Sequence, residues 1–196
     1  MTTTPELVAR IAAAPAGGGP VRRVCVDGPA GSGKTTLARA LADALSDPDG
    51  PGLDVRVVHG DEVYEGWPVV AGAADRVAAF ALLAQRLDAW LLTPWASGST
   101  ATQPVWDWHA GEWGEPVEVP AAGVVVLDGV GLASRSLRER AALSIWVEAA
   151  EAVRLDRVLA RDGESLRAEM LGWQADEQRW FALDGTRRGC DVRVRT

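Results

Sequence analysis

Residues 28–36 read GPAGSGKTT, with glycines at 28, 31 and 33 directly before one lysine and two threonines. Glycines so spaced let the backbone curl until successive N–H groups point inward, a concavity suited to an anion. The run opens a segment of helical period, and the positive end of a helix dipole adds to the attraction. This is the G-x-x-x-x-G-K-[ST] pattern, in which the lysine reaches the β- and γ-phosphates of a nucleoside triphosphate and the following hydroxyl ligates Mg²⁺. ATP contacts are therefore expected from Gly28, Pro29, Ala30, Gly31, Ser32, Gly33, Lys34, Thr35 and Thr36, with Thr35 on the metal. Of 20 basic residues Lys34 alone is lysine, leaving 19 arginines. A compact ammonium suits a narrow phosphate cradle in a way that a planar guanidinium does not.

Three further elements could act on a bound triphosphate. Asp61, in the run HGDEVYEGW, follows a strand-like stretch and is placed to take a proton from an acceptor hydroxyl or to hold the metal through water. Asp128 ends the apolar run VVVLD, the shape of a Walker B acid positioned for Mg²⁺. Arg154, Arg157 and Arg161 recur at spacings of three and four, which puts them on one helix face. They are expected as a mobile lid over the triphosphate, Arg154 as an ATP contact, Arg157 and Arg161 offsetting charge on the transferring group.

The middle of the chain is rich in tryptophan: Trp95, Trp106, Trp108 and Trp113 fall within one irregular segment, out of nine in all. A flat indole can stack on a base or sugar, or it can supply the core of a hairpin with little else to bury. Trp67 and Trp106 each neighbour a candidate acid and are taken as acceptor contacts. His109 follows the WDW run either as a substrate contact or as a hydrogen-bonded structural residue.

These residues need elements to position them. A short helix opens at Thr4-Pro5-Glu6 and runs to about residue 14, and residues 16–20 form a glycine-rich joint. Strands are expected over 21–27, 54–59, 124–128, 143–148 and 190–195, with helices over 34–45, 75–92, 134–142, 151–161 and 165–183. In the helix over 75–92, Val77, Phe80, Ala84, Leu87 and Leu91 mark the buried face. Residues 95–120 read as loops with a hairpin. Alternating strands and helices imply a parallel sheet with binding at the strand C-terminal ends. The whole chain, 1–196, is expected to be a single domain with a helical lid over about 151–182 and an acceptor-site insertion over about 95–120.

Composition narrows the function classes. A net charge of −7 and a pI near 4.9 lack the global basic surplus usual in nucleic-acid-binding proteins. Hydrophobic residues at 47% suit a globular core. Cys25 and Cys190 read as buried free thiols in a reducing compartment. Arg10 interrupts the N-terminal apolar residues, which carry no basic leader, and no stretch reaches the roughly 18 apolar residues of a membrane span. The expectation is a cytoplasmic protein, monomer or homodimer, with a small-molecule acceptor and neither a nucleic-acid nor a membrane partner.

Taken in order, these elements resemble the uridine kinase and phosphoribulokinase-like branch of the P-loop kinases, and most of all its small stand-alone actinobacterial members. The resemblance covers about 21–194; its distinctive parts are DEVYEGW (61–67), WDWHAGEW (106–113), the arginine series ending in Asp162, and WQADEQRWFA (173–182). It implies a P-loop NTPase α/β/α fold with a five-stranded parallel sheet, ATP–Mg²⁺ as donor and a nucleoside-like or other small polyol as acceptor. By the same resemblance Asp61 is the general base, Tyr64 an acceptor-site aromatic, Asp107 a grip on sugar hydroxyls, and Arg187 with Arg188 part of a loop laid against adenine. Two departures stand out. Asp128 occupies a position where uridine kinases commonly carry Glu, and Gln103-Pro104-Val105 precede Trp106 where relatives often place arginines. At this point an ATP-dependent kinase, a nucleotide-binding regulatory protein and a relative that binds ATP without transfer all remain open.

Overall fold

The computed structural model describes residues 3–15 and 21–196, so the joint expected over 16–20 lies outside the described residues. Five parallel strands build the central sheet: β1 (Arg22–Asp27), β2 (Val55–His59), β3 (Val124–Asp128), β4 (Leu143–Glu148) and β5 (Val192–Arg195). Their spatial order is β2-β3-β1-β4-β5. Alternation along each strand divides the core in two. Val24 and Val26 of β1, Val124 and Val126 of β3, and Ile145 and Val147 of β4 face one side. There they meet Leu7 and Ile11 of α1 (Thr4–Ala13) and Ala38, Leu41 and Leu45 of α2 (Lys34–Ser46). Cys25, Val125, Leu127 and Trp146 face the other side. They meet Phe80, Leu83 and Leu87 of α3 (Arg76–Leu87) and Trp173, Trp180 and Phe181 of α5 (Arg167–Asp184). The result is the expected three-layer α/β/α arrangement.

The differences from expectation have local causes. The first helix is capped one residue early, where the Thr3 amide donates to the Glu6 carboxylate at 2.7 Å. Asp75 caps α3 through the Ala78 amide, and after Leu87 the coil widens to a π-turn over Asp88–Leu92. The helix expected over 134–142 is a single turn, Arg135–Arg138. Arg138 there donates to the Ala133 carbonyl and pairs with Asp184, and the Ala142 amide already bonds Arg23 ahead of β4. Residues 95–120 are better ordered than their composition suggests. Ala101–Gln103 pairs antiparallel with Val117–Val119, and inside that ribbon Trp106–Asp107 pairs with Glu112–Trp113.

The segment 151–182, expected as a helical lid, packs part of its length against the sheet. Helix α4 (Glu151–Asp162) buries Arg154, Val158 and Leu159, and α5 buries Met170, Trp173, Glu177, Trp180 and Phe181. Helices that bury these side chains against the sheet belong to the core layer. Among the described residues no helix is long and apolar enough to cross a membrane, and both cysteines are free and buried.

Candidate functional site

Register and chain direction bring the C-terminal ends of β1, β2 and β3 side by side: Val26 lies opposite Asp128, and His59 opposite Asp128. Everything that leaves those ends therefore meets at one edge of the sheet.

From β1 the chain enters the glycine loop, which turns into α2 at its N-cap, Gly33. Gly28 and Ser32 are buried; Pro29, Ala30, Gly31, Gly33 and Thr35 are half-buried, and Thr36 is exposed. Gly31 has φ +75°, and a Cβ there would lie 2.2 Å from the Arg154 carbonyl oxygen, so the loop rests flush on the backbone of α4. Lys34 is 9% exposed, and its Nζ donates back to the Pro29 carbonyl at 3.1 Å, which folds the ammonium over the loop. The Ser32 Oγ is buried with no hydrogen-bond partner.

A residue outside the sequence-based set braces this loop. Asp27, the fully buried last residue of β1, accepts from the amides of Gly28 (2.7 Å), Gly131 (3.2 Å) and Ala133 (2.8 Å). One carboxylate thus ties the glycine loop to the loop that follows β3. Burial pushes its pKa up to about 7, against the opposing pull of those amides and of Lys34. Its position at a strand end directly before the glycines was the available signal.

From β2 come His59 and, two residues on in the short helix Gly60–Val63, Asp61. Asp61 is exposed to solvent. Burial on its other sides raises its pKa, the charge of Asp128 adds to the rise, and Lys34, Arg161 and His59 lower it. A carboxylate that is reachable yet poorly solvated, with cations nearby, can accept a proton from a hydroxyl group. From β3 comes Asp128, 2% exposed; its Oδ2 sits 3.0 Å from the His59 Nδ1, and this hydrogen bond raises the His59 pKa. The Asp128 Oδ1 is buried with no partner. Buried oxygens are nearly always satisfied, so this one fits a group arriving with a ligand. Among the described residues no three His, Cys, Asp or Glu side chains gather as a metal cage. Mg²⁺ characteristically leans on one or two protein oxygens plus phosphates and water, and Thr35 with Asp128 fits that habit.

The three arginines separate. Arg154 is 5% exposed and turns inward to Glu177, with Nη1 to Oε1 at 3.1 Å. As placed, it supports the loop from beneath and does not face a nucleotide. Arg157 is exposed; its Nη1 donates to the Thr196 Oγ1 at 2.9 Å and lies 3.4 Å from the Gly31 carbonyl. Arg161 is exposed and bidentate to Asp162, which raises its pKa, and the charge of Asp61 adds to that rise. Arg187 pairs with Glu148 at 2.7 Å, beside Arg195, and so is occupied at the tip of β4. Glu148 is held at a pKa of about 2, by Arg187 first and also by Arg195 and Trp146.

The expected acceptor residues also divide. Tyr64 needs a correction: it is 2% exposed and its hydroxyl donates to the Val130 carbonyl at 2.8 Å, so it is a wall and not a contact surface. Asp107 is exposed at the hairpin turn, where its Oδ1 accepts from the amides of His109 and Ala110; those bonds, Ala110 first, lower its pKa. It holds the turn that carries His109, itself exposed. Trp106 packs edge-on to Trp113 at 5.1 Å, and Trp113 to Trp90 at 5.4 Å; this cluster is the core of the hairpin. Trp95 is buried outright, its N–H on the Val119 carbonyl. Trp67 is half-buried between Trp108 (5.7 Å) and Trp173 (5.8 Å). Trp108, absent from the sequence-based set, donates its N–H to the Asp61 carbonyl at 2.8 Å and so fastens the hairpin to the backbone at Asp61. Beside Trp67 opens a cavity of about 420 Å³ lined also by Pro68, Val70, Asp75, Arg76 and Glu169.

No protein-family model matches the chain, and no curated protein matches it. Solved structures do. A possible uridine kinase from Bacillus stearothermophilus is 18% identical over 97% of this chain and 96% of that one, with a TM-score of 0.69. A candidate fructose transport system kinase from Silicibacter sp. TM1040 is 22% identical over 99% of this chain and 100% of that one, with a TM-score of 0.66. The likeness spans the whole chain, and it is one of fold: the chain has the α/β/α fold of these P-loop kinases.

Proposed function

We propose that the chain is an ATP-dependent kinase that transfers the γ-phosphoryl group to a hydroxyl of a small, nucleoside-like or other polyol acceptor. The observation that carries this reading is Asp61. It is a solvent-open carboxylate with a raised pKa, and it feels the charges of Lys34, Arg161 and Asp128 at the one sheet edge where the glycine loop ends. The uridine kinase and sugar transport kinase descriptions of the two similar structures support a hydroxyl acceptor.

In this reading the amides of Gly31 to Thr35 cradle the phosphates, and Lys34 swings from the Pro29 carbonyl onto the β–γ bridge. Thr35 and Asp128 would hold Mg²⁺, which supplies charge neutralisation across the phosphates when bound. Asp61 orients the acceptor hydroxyl and takes its proton as the oxygen attacks phosphorus. Arg161 and Arg157 offset charge on the phosphoryl group in flight. Trp67 and Trp108 wall the acceptor beside Asp61, and His109 reaches it from the hairpin tip. The buried free thiols suit a cytoplasmic setting.

The test is ATP consumption screened against nucleosides, sugars, vitamins and aminoglycoside-type compounds, repeated with Asp61→Asn. A kinase shows acceptor-stimulated turnover that Asp61→Asn abolishes while ATP affinity stays normal. Slow hydrolysis that no small molecule accelerates, with a partner protein bound only in the nucleotide state, would replace this reading with a regulatory one. ATP binding without any transfer would leave a non-catalytic relative.

A further inference from the structure

The run WQADEQRWFA is distinctive in sequence and has no part in the chemistry above. In the fold it is the middle of α5, where Trp173, Glu177 and Trp180 all turn inward. Glu177 has no exposed surface, although it lies against a loop built for a polyanion. Its Oε2 accepts from the Ala30 amide at 2.9 Å and from the Trp173 indole N–H at 3.1 Å, and its Oε1 accepts from Arg154 at 3.1 Å. Taking a carboxylate out of water is costly, and an apolar residue of similar volume would commonly stabilise a helix contact as well or better. The polar group therefore needs a task that packing alone does not perform.

The geometry supplies one. The Ala30 N–H is aimed at Glu177 and not into the concavity, so this contact sets the curl of the loop just before Gly31. Arg154 keeps the pair neutral, so the buried carboxylate does not oppose incoming phosphates. The oxygen that holds Ala30 also holds Trp173, and Trp173 packs at 5.8 Å from both Trp67 and Tyr64, with the Arg76 guanidinium 5.2 Å above its ring. Two hydrogen bonds and one ring contact thus connect the phosphate loop to the aromatic wall beside Asp61.

We propose that Glu177 is a positioning residue that joins the two halves of the site, so that nucleotide in the glycine loop resets Trp67 through Trp173. The kinase reading enters only in naming Trp67 the acceptor side. The link itself requires nucleotide binding and no turnover.

The test is fluorine NMR of the full chain carrying fluorotryptophan, with the Trp67 signal assigned by Trp67→Phe and the magnesium complex of β,γ-imido-ATP as probe. In the wild type, saturation should shift the Trp67 signal. Trp173→Phe removes the indole N–H and keeps an aromatic ring; it should bind nucleotide close to normally and lose most of the shift. Glu177→Leu alone would strand Arg154, so the paired change Glu177→Leu with Arg154→Met is used, its fold checked by thermal melting. That variant should lose the shift and bind nucleotide about tenfold more weakly, because the Ala30 amide is left without its acceptor. A Trp67 signal unmoved at saturation in the wild type, or one that moves as far in Trp173→Phe, overturns the proposal. Acceptor-stimulated transfer with Trp67 unmoved would sink the link and leave the kinase reading. A Trp67 shift that depends on Trp173, with no transfer to any acceptor, would do the reverse.

Discussion

Replacing Gly31 by alanine tests whether the glycine loop is held as tightly against α4 as its geometry implies. The new Cβ would lie 2.2 Å from the Arg154 carbonyl oxygen and 2.9 Å from the Arg154 carbonyl carbon and Cα. Ordinary contact begins near 3.5 Å, so the closest approach is short by about 1.3 Å. The obstacle is helix backbone, and Arg154 is itself anchored to Glu177, so neither side can yield by rotating a side chain. A non-glycine residue at φ +75° adds a conformational cost of about 1–2 kcal/mol, and the overlap adds about 1–3 kcal/mol. Together they predict a loss of roughly 2–5 kcal/mol. Gly33→Ala is the control. Its φ of +90° carries the same conformational cost, but its Cβ would meet nothing closer than the Thr196 methyl at 3.4 Å. It should lose only about 1–2 kcal/mol. Urea unfolding of both variants measures the difference, with nucleotide binding by calorimetry to detect a loop that moves away instead of destabilising the fold. If Gly31→Ala proves no less stable than Gly33→Ala, and its nucleotide affinity is unchanged, the loop does not rest on α4 as described.

Tyr64→Phe should cost about 1 kcal/mol by stranding the Val130 carbonyl and leave the acceptor KM unchanged; a raised KM at constant stability would return Tyr64 to the acceptor site. Asp27 has its pKa raised by burial from 3.8 to about 7, so the stability it contributes is full below 3.8 and lost as pH rises through 7. The stability difference between wild type and Asp27→Asn should therefore fall across that window, and a flat or rising difference refutes the assignment. Glu148 is shifted the other way, from 4.5 to about 2, chiefly by Arg187. Its contribution is present above 4.5 and lost as pH falls toward 2, so the difference between wild type and Glu148→Gln should shrink in acid unfolding experiments. Lys34→Arg should weaken nucleotide binding by about tenfold or more at unchanged melting temperature, because the guanidinium cannot fold over the loop; near-normal affinity would refute that.

Local signals carried the layered α/β arrangement and the sheet edge that holds the candidate site. Apolar runs ending in Asp27 and Asp128 and the strand-like stretch ending in His59 marked the strand tips, and the spacing of glycines before Lys34 marked the loop. Such features are local: a left-handed glycine or a strand-terminal acid declares itself within a few residues. Period alone could not say which way each arginine of α4 would turn. Arg154 and Arg157 share a helical face in spacing, yet one is buried on Glu177 and the other exposed, because α5 covers only part of that face. Nor could local pattern say that Tyr64, expected as an acceptor contact, would lie buried with its hydroxyl on the Val130 carbonyl, or that the helices expected as a lid would pack Trp173, Trp180 and Phe181 into the core.

The sequence by itself determined that a glycine loop of triphosphate-binding pattern stands between a strand and a helix, with an acid after each of two further strands. Only the tertiary structure decided what surrounds it. The pairing of Asp128 with His59, the bracing of the loop by Asp27, the hold of Trp108 on Asp61 and the junction at Glu177 are contacts between residues 47 to 147 positions apart. They arise because packing two helices and a hairpin onto one sheet edge brings polar groups out of water together. Each then needs a partner that no local pattern names.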